Sequence, residues 1–263
     1  YAAGVATYTY ELTEATSDLA GIEQDSFSVT VTDGTTVSAP ASIVIDIVDD
    51  VPNAVNDGVY NVVEDGASLV SGNELTNDLH ANGLPGADTP TSFVAWGAGD
   101  AATIAALNTY GTLVQDPATG AWSYTLDNGR AATQALDSTF SQNFVLNYTM
   151  QDADGDTDTA TLTITITGAN DGPTVTVDQG NGGANDQVFE AGLNASGSNA
   201  ASASEFAGGT FTLADADGLS DLQSVTITGV GAPVTFTIAQ LTGATPGAPL
   251  VVPGDHGTLR ITG

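Results

Sequence analysis

Apolar and polar residues alternate with a period of two along most of the chain. The pattern runs through "SFSVTVTD" (26–33), "SIVIDIVD" (42–49), "NFVLNYTM" (143–150), "TATLTITIT" (159–167), "PTVTVD" (173–178), "GTFTLAD" (209–215), "QSVTITGV" (223–230) and "VTFTIA" (234–239). These Val, Ile, Thr and aromatic runs are separated by Gly, Asn, Asp and Pro, as short strands burying one face should be. Only "DAATIAALN" (100–108) and "AATQALDS" (131–138) carry spacing closer to helical, enough for one short turn each. The pattern predicts an all-β sandwich protein.

The stretch "GTLVQDPATGAWSYTLDN" (111–128) reads as a hairpin, with Trp122, Tyr124 and Leu126 alternating on its return strand. A twin of this hairpin is cut in two. Gly257-Thr258-Leu259 lies near the end of the sequence, and Tyr8, Tyr10 and Leu12 alternate near its start. A shift of about 121 residues places Asp33 on Asp154, Asp50 on Asp171 and Pro52 on Pro173, and a slightly larger offset places Glu64 on Glu190. Repeat boundaries therefore fall at the two acidic, Pro-containing linkers. Segment 51–170 is one complete unit. Segments 1–50 and 171–263 are the C-terminal and N-terminal parts of a second type of unit, expected to complete each other between neighbouring copies joined head to tail.

Charge narrows the function. Among 263 residues there are 32 acidic side chains and two basic ones, a net charge of −30. Such a surface repels nucleic acid and anionic membranes, which are bound through Lys and Arg. No apolar run is long enough to span a bilayer as a helix, and no signal peptide is recognisable in these residues. There is no cysteine, so a secreted chain of this composition lacks disulfide staples and a metal is the usual substitute.

The acidic residues are spaced for that substitute. In "DADGDTD" (152–158), Asp152, Asp154 and Asp156 alternate around Gly155, which aims several carboxylates at one centre and suits a hard cation with six to eight oxygen ligands. The plain alternative is an Asp/Gly turn between strands. An EF-hand is rejected, because the Glu at the twelfth loop position and the flanking helices are missing. The linkers add further candidates. Asp154, Asn170, Asp171 and Glu190 are expected to share one junction site, and Asp33, Asp49, Asp50, Asn56 and Glu64 the preceding one. Asp215, Asp217 and Asp221 in "DADGLSD" (215–221) form a third acidic loop, read equally well as metal site or turn. Catalysis has little support: there is no nucleophilic Cys, and His80 and His256 stand apart without a motif. Trp96 and Trp122 offer a sugar-stacking platform as the alternative, although Trp122 sits in a core-like alternation.

The middle unit resembles a VCBS repeat, through Gly120-Ala121-Trp122-Ser123-Tyr124-Thr125-Leu126-Asp127-Asn128, Asp152-Ala153-Asp154-Gly155-Asp156 and the run from Thr163 to Pro173. The flanking segments resemble repeats of giant adhesins secreted by type I systems (RTX adhesins), through "VFEAGL", "GTFTLADADGLSDLQSVTITG", "GTLRITG", "ATYTYEL", "DSFSVTVTD" and "IVDDVP". The glycine-rich nonapeptides of RTX β-helices are absent. These resemblances imply tandem Ig-like or cadherin-like antiparallel β-sandwich domains stacked head to tail. They also imply an extracellular, non-catalytic extender that binds Ca2+ and carries a distal ligand-binding domain. The alternative from another class is a carbohydrate-binding module of a secreted protein.

Overall fold

The computed structural model describes residues 4–17, 23–178 and 187–263. The chain divides into two compact units, Tyr1–Ala169 and Asn170–Gly263. In the first, β1 (Glu23–Val29) and β2 (Ala41–Ile47) form an antiparallel hairpin that pairs Phe27 with Ile43 and Asp25 with Ile45. No described residue between 4 and 50 is buried.

The rest of this unit is the sandwich read from the alternation. It comprises β3 (Val59–Val63), β4 (Leu69–Asn73), β5 (Ser92–Trp96), α1 (Ala101–Tyr110), β6 (Gly111–Asp116), β7 (Ala121–Leu126), α2 (Ala131–Gln134), β8 (Ser141–Gln151) and β9 (Thr157–Thr167). One sheet has the order β3-β9-β8-β5 and the other β4-β7-β6. Their inner faces meet through Val62, Trp122, Tyr124, Leu126, Leu146 and Ile164, all buried. The alternate residues Val114 and Val145 stay outside, as the period of two requires. The antiparallel expectation needs one correction: β3 lies parallel to β9, pairing Val59 with Thr163 and Val63 with Thr167.

Local chemistry places the elements. The β6–β7 hairpin closes where Gly120, at φ 71°, donates to the Asp116 carbonyl at 2.9 Å. That left-handed conformation is one glycine adopts without strain. Tyr124 is fully buried and donates its hydroxyl to the Leu107 carbonyl at 3.0 Å, which fixes α1 over the core. At ten residues α1 is longer than the turn expected from sequence, because Leu107 packs into the core. Asp100 anchors its start by accepting the Asn147 N–H at 2.6 Å.

The second unit holds β10 (Thr174–Val177), β11 (Phe211–Ala214), β12 (Ser224–Ile227), β13 (Val234–Thr237), α3 (Ile238–Gly243), β14 (Leu250–Pro253) and β15 (Thr258–Ile261). Among the described residues the strands pair two by two, β10-β11, β12-β13 and β14-β15. The strand expected over 234–239 stops at Thr237, where a capping box starts a helix: the Thr237 hydroxyl accepts from Gln240 N–H, and Gln240 Oε1 accepts from Thr237 N–H. The core is small, formed by Phe236, Leu241, Val252 and Ile261.

The middle sandwich therefore carries most of the buried apolar surface of the described residues. Leu146→Ala should destabilise it by about 2–5 kcal/mol, the usual cost of truncating a fully buried leucine. Urea denaturation followed by tryptophan fluorescence checks this, since Trp96 and Trp122 both lie in that sandwich.

Candidate metal centre

The turn between β8 and β9 is built to present carboxylates. Asp152 is buried, and its Oδ1 accepts the N–H groups of Gly155 and Asp156 at 3.1 and 2.9 Å. This folds the turn so that Asp154 projects from it. Asp154 meets Asp49 from the preceding linker and Asp88 from the β4–β5 connection, with one carboxylate oxygen of each within 4.8 Å of the others. Oxygens bound to one Ca2+ at 2.3–2.6 Å lie up to about 4.6–5.2 Å apart across the ion, so the three fit a single cation.

Other groups hold this arrangement. The Ala153 N–H donates to the Asp88 carbonyl at 3.1 Å, which ties the two loops together. Asp50 Oδ2 accepts the Ala87 N–H at 2.9 Å, and Asp50 Oδ1 lies 3.9 Å from His80 Nε2. Burial, then the charges of Asp154, Asp49, Asp152 and Asp50, push the Asp88 carboxyl up. Burial and contact with Asp154 do the same to Asp152. Both oxygens of Asp154, and one each of Asp49 and Asp152, are shielded from solvent without a hydrogen-bond partner. Buried carboxylate oxygens of this kind require a cation or a proton. The donor set is all oxygen, which fits Ca2+ and offers nothing to a thiolate-seeking metal.

A second convergence lies in the other unit. Asp215, Asp217 and Asp221 bring carboxylate oxygens within 4.8 Å of one another. Asp217 Oδ2 accepts the Asp171 N–H at 2.8 Å, so the linker and this loop are joined, while Asp217 Oδ1 and Asp215 Oδ2 are shielded without a partner.

The remaining expected residues fall elsewhere. Asp33 caps its own turn, accepting the N–H groups of Thr35 and Thr36 at 2.8 Å each. Asn56 Oδ1 accepts the Thr161 N–H and hydroxyl at 3.0 Å each. Glu64 is fully buried and accepts the Ala169 N–H at 3.1 Å, which holds the outgoing linker rather than the incoming one. Asp156 supplies its backbone N–H to the turn. Asn170 donates its side-chain amide to the Asp171 carbonyl, and Glu190 is exposed at a 3-10 turn over Glu190–Gly192. The grouping of Asp154 with Asn170 is thereby corrected. All eleven residues of β9 separate the Asp154 turn from the outgoing linker, so Asp154 faces the incoming one.

Sequence reasoning missed Asp88, and it missed a neighbouring group around Glu74 and Asp78. Tyr148 donates its hydroxyl to Asp78 at 3.0 Å, Val55 N–H donates to Asp78 at 2.7 Å, and Ala54 N–H donates to Asp158 at 2.8 Å. These bonds clamp residues 54–55 to the sandwich. Burial and the mutual repulsion of the group raise Asp57 and Glu74 to about 7 each. Gln115 donates to one oxygen of Glu74 at 3.1 Å, and the other is without a partner. The "NELTND" stretch that supplies Glu74 and Asp78 has no regular period to mark it as buried.

A bacterial Ig domain family model matches residues 49–165. That span covers β3 through most of β9 and both loops that hold Asp88 and Asp154. No curated protein matches. Among solved structures, protocadherin gamma B7 extracellular cadherin domains 1–4 matches at 12% identity over 91% of this chain and 57% of that one, with a TM-score of 0.31. PcdhgB3 EC1–4 matches at 15% identity over 91% and 48%, with a TM-score of 0.33. Mouse protocadherin-24 EC1–3 matches at 14% over 58% and 47%, with a TM-score of 0.26. The chain thus spans about half the length of the structures it matches.

The Glu74 group gives a pH test. The folded values of Glu74 and Asp57 lie above their unfolded values near 4, so their contribution is complete below about pH 4 and is lost as pH rises to about 7. In chelator, the middle sandwich should melt higher at pH 5 than at pH 8, and Glu74→Gln should flatten that difference. An unchanged pH slope in the variant contradicts the assignment.

Proposed function

We propose that this chain is a structural extender segment of an extracellular bacterial adhesin or surface filament, stiffened by Ca2+ where linkers meet the ends of its β-sandwiches. The observation that carries the reading is Asp154: both carboxylate oxygens are shielded, lack partners and face Asp49 and Asp88. Among the described residues neither arginine makes an ion pair at this site, and Arg130 pairs with Asp127 at 3.2 Å. Bound Ca2+ would turn mutual repulsion into a clamp between the linker at Asp49, the loop at Asp88 and the turn at Asp154. A linker tied in this way transmits orientation from one domain to the next, as an extender requires. The bacterial Ig match over 49–165 supports the same reading. So does the sequence resemblance to repeats of type I-secreted RTX adhesins.

The carbohydrate-binding alternative needs a flat, exposed aromatic strip. Trp122 and Tyr124 are buried, Tyr60 packs edge-on against Trp122 at 4.7 Å, and Trp96 packs edge-on against Phe93 at 5.2 Å. These rings are used for packing, which favours a non-catalytic structural role.

Ca2+ that binds only the folded state stabilises it by about 2.7 kcal/mol at a hundred times its dissociation constant. Thermal melts of the metal-free chain at neutral pH should therefore rise on adding Ca2+ and fall back with chelator. Asp154→Ala should remove most of the rise contributed by the middle sandwich. Equal melting temperatures with Ca2+ and with chelator would sink the proposal.

A further inference from the structure

The second unit has a large apolar cleft. A cavity of about 1110 Å3 opens between its strand pairs, lined by Val175, Phe211, Leu213, Val225, Ile227 and Leu259, among others of the same unit. Among the described residues its three separate two-stranded pairs leave edges open, and β15 pairs with β14 alone. Two-stranded pieces of this kind are marginal unless more strands or a packed face join them.

The first fifty residues have the opposite defect. The β1–β2 hairpin is equivalent, at the 121-residue shift, to β8–β9. That shift places Phe27 on Tyr148, Val29 on Met150, Ile43 on Ile164 and Ile45 on Ile166. All four counterparts are fully buried, whereas Phe27 and Val29 are 47% and 48% exposed. The β8–β9 pair sits at the centre of its sheet, with β3 and β5 on its flanks. Among the described residues the β1–β2 pair has no flanking strand. Tyr8 and Leu12 are exposed as well, although their counterparts Trp122 and Leu126 are buried.

The split hairpin supplies a register. In the intact one, Gly111 pairs with Leu126 and Leu113 with Tyr124. The same pairing sets Gly257 opposite Leu12, Thr258 opposite Glu11, Leu259 opposite Tyr10 and Arg260 opposite Thr9. Arg260 is exposed, makes no ion pair among the described residues, and is one of only two basic side chains. Glu11 then becomes its diagonal neighbour across the strands, within reach of a long side chain.

We propose that the apolar cleft of residues 170–263 is filled by residues 4–17 and 23–47 of a second copy of this chain, with β1–β2 joining the cleft's strands and Tyr8–Leu12 pairing antiparallel to β15. A second copy is favoured over the chain's own segment by the middle sandwich. Its incoming linker is held at the Asp158 end of β9 and its outgoing one beyond Thr167, by Glu64. Ten strand steps separate those ends, roughly 33 Å at the usual rise. The docking does not depend on the calcium reading.

The chain has no cysteine, so introduced thiols report cleanly. Differently tagged Thr258→Cys and Glu11→Cys chains are mixed and treated with a short bis-maleimide, once in Ca2+ and once in chelator. The expected product has twice the chain mass, joins the two intended peptides, and grows with protein concentration in at least one condition. Thr35→Cys at the tip of the β1–β2 loop replaces Glu11→Cys as the control and should give little product. Three results overturn the proposal: no mixed product in either condition, an equally strong control, or a Glu11→Cys/Thr258→Cys double variant that closes within one chain at every dilution.

Discussion

The constraint on which the rest of the structure depends is uncompensated negative charge at the end of a β-sandwich. Asp49, Asp88 and Asp154 come from three separate parts of the chain and converge, and none of them makes an ion pair among the described residues. At about 4 Å each carboxylate pair repels by roughly 1–4 kcal/mol between water and near-surface screening. This convergence, with both Asp154 oxygens shielded from solvent, leaves charge that a bound cation or protons would have to offset. The all-oxygen donors and their spacing are of the kind a hard divalent cation would take.

The strand arrangement decides which linker that cation would grip. Because β3 runs parallel to β9, the chain enters the middle sandwich beside the β8–β9 turn and leaves at the far end of β9. The entry is held by Asp78 and Asp158, which accept the N–H groups of Val55 and Ala54, and the exit by Glu64, which accepts that of Ala169. Both fixed points use buried or half-buried carboxylates on backbone donors, bonds stronger than neutral ones. The sandwich thus fixes where the chain enters it and where the chain leaves it.

The alternation of residues 143–150 and 159–167 made β8 and β9 legible, since Phe144, Leu146, Tyr148, Met150, Ala160, Leu162, Ile164 and Ile166 face the core and most of the intervening Thr residues do not. The hairpin at 111–126 was legible for the same reason. The acidic turn at 152–156 was recognisable as a carboxylate-presenting loop, but its spacing in sequence pointed to the outgoing linker at Asn170, and Asp49 was assigned to a different site. Asp88 was not, because it lies in an irregular connection whose position depends on where β4 and β5 sit in different sheets. Glu64 shows the opposite limit: its repeat position was visible, but which linker it holds follows only from the parallel pairing of β3 with β9. The helix at 238–243 was hidden inside a β-like run, and only the reciprocal Thr237–Gln240 cap reveals it.

The account stands or falls on cation binding at the Asp154 site. Calorimetric titration of Ca2+ into the metal-free chain measures it directly, with circular dichroism confirming that each variant keeps its strands. The account predicts saturable binding, with one class of sites lost in Asp154→Ala and in Asp88→Ala while the fold persists. Isotherms from both folded variants that coincide with the parent isotherm, or no binding to the parent at all, would contradict it.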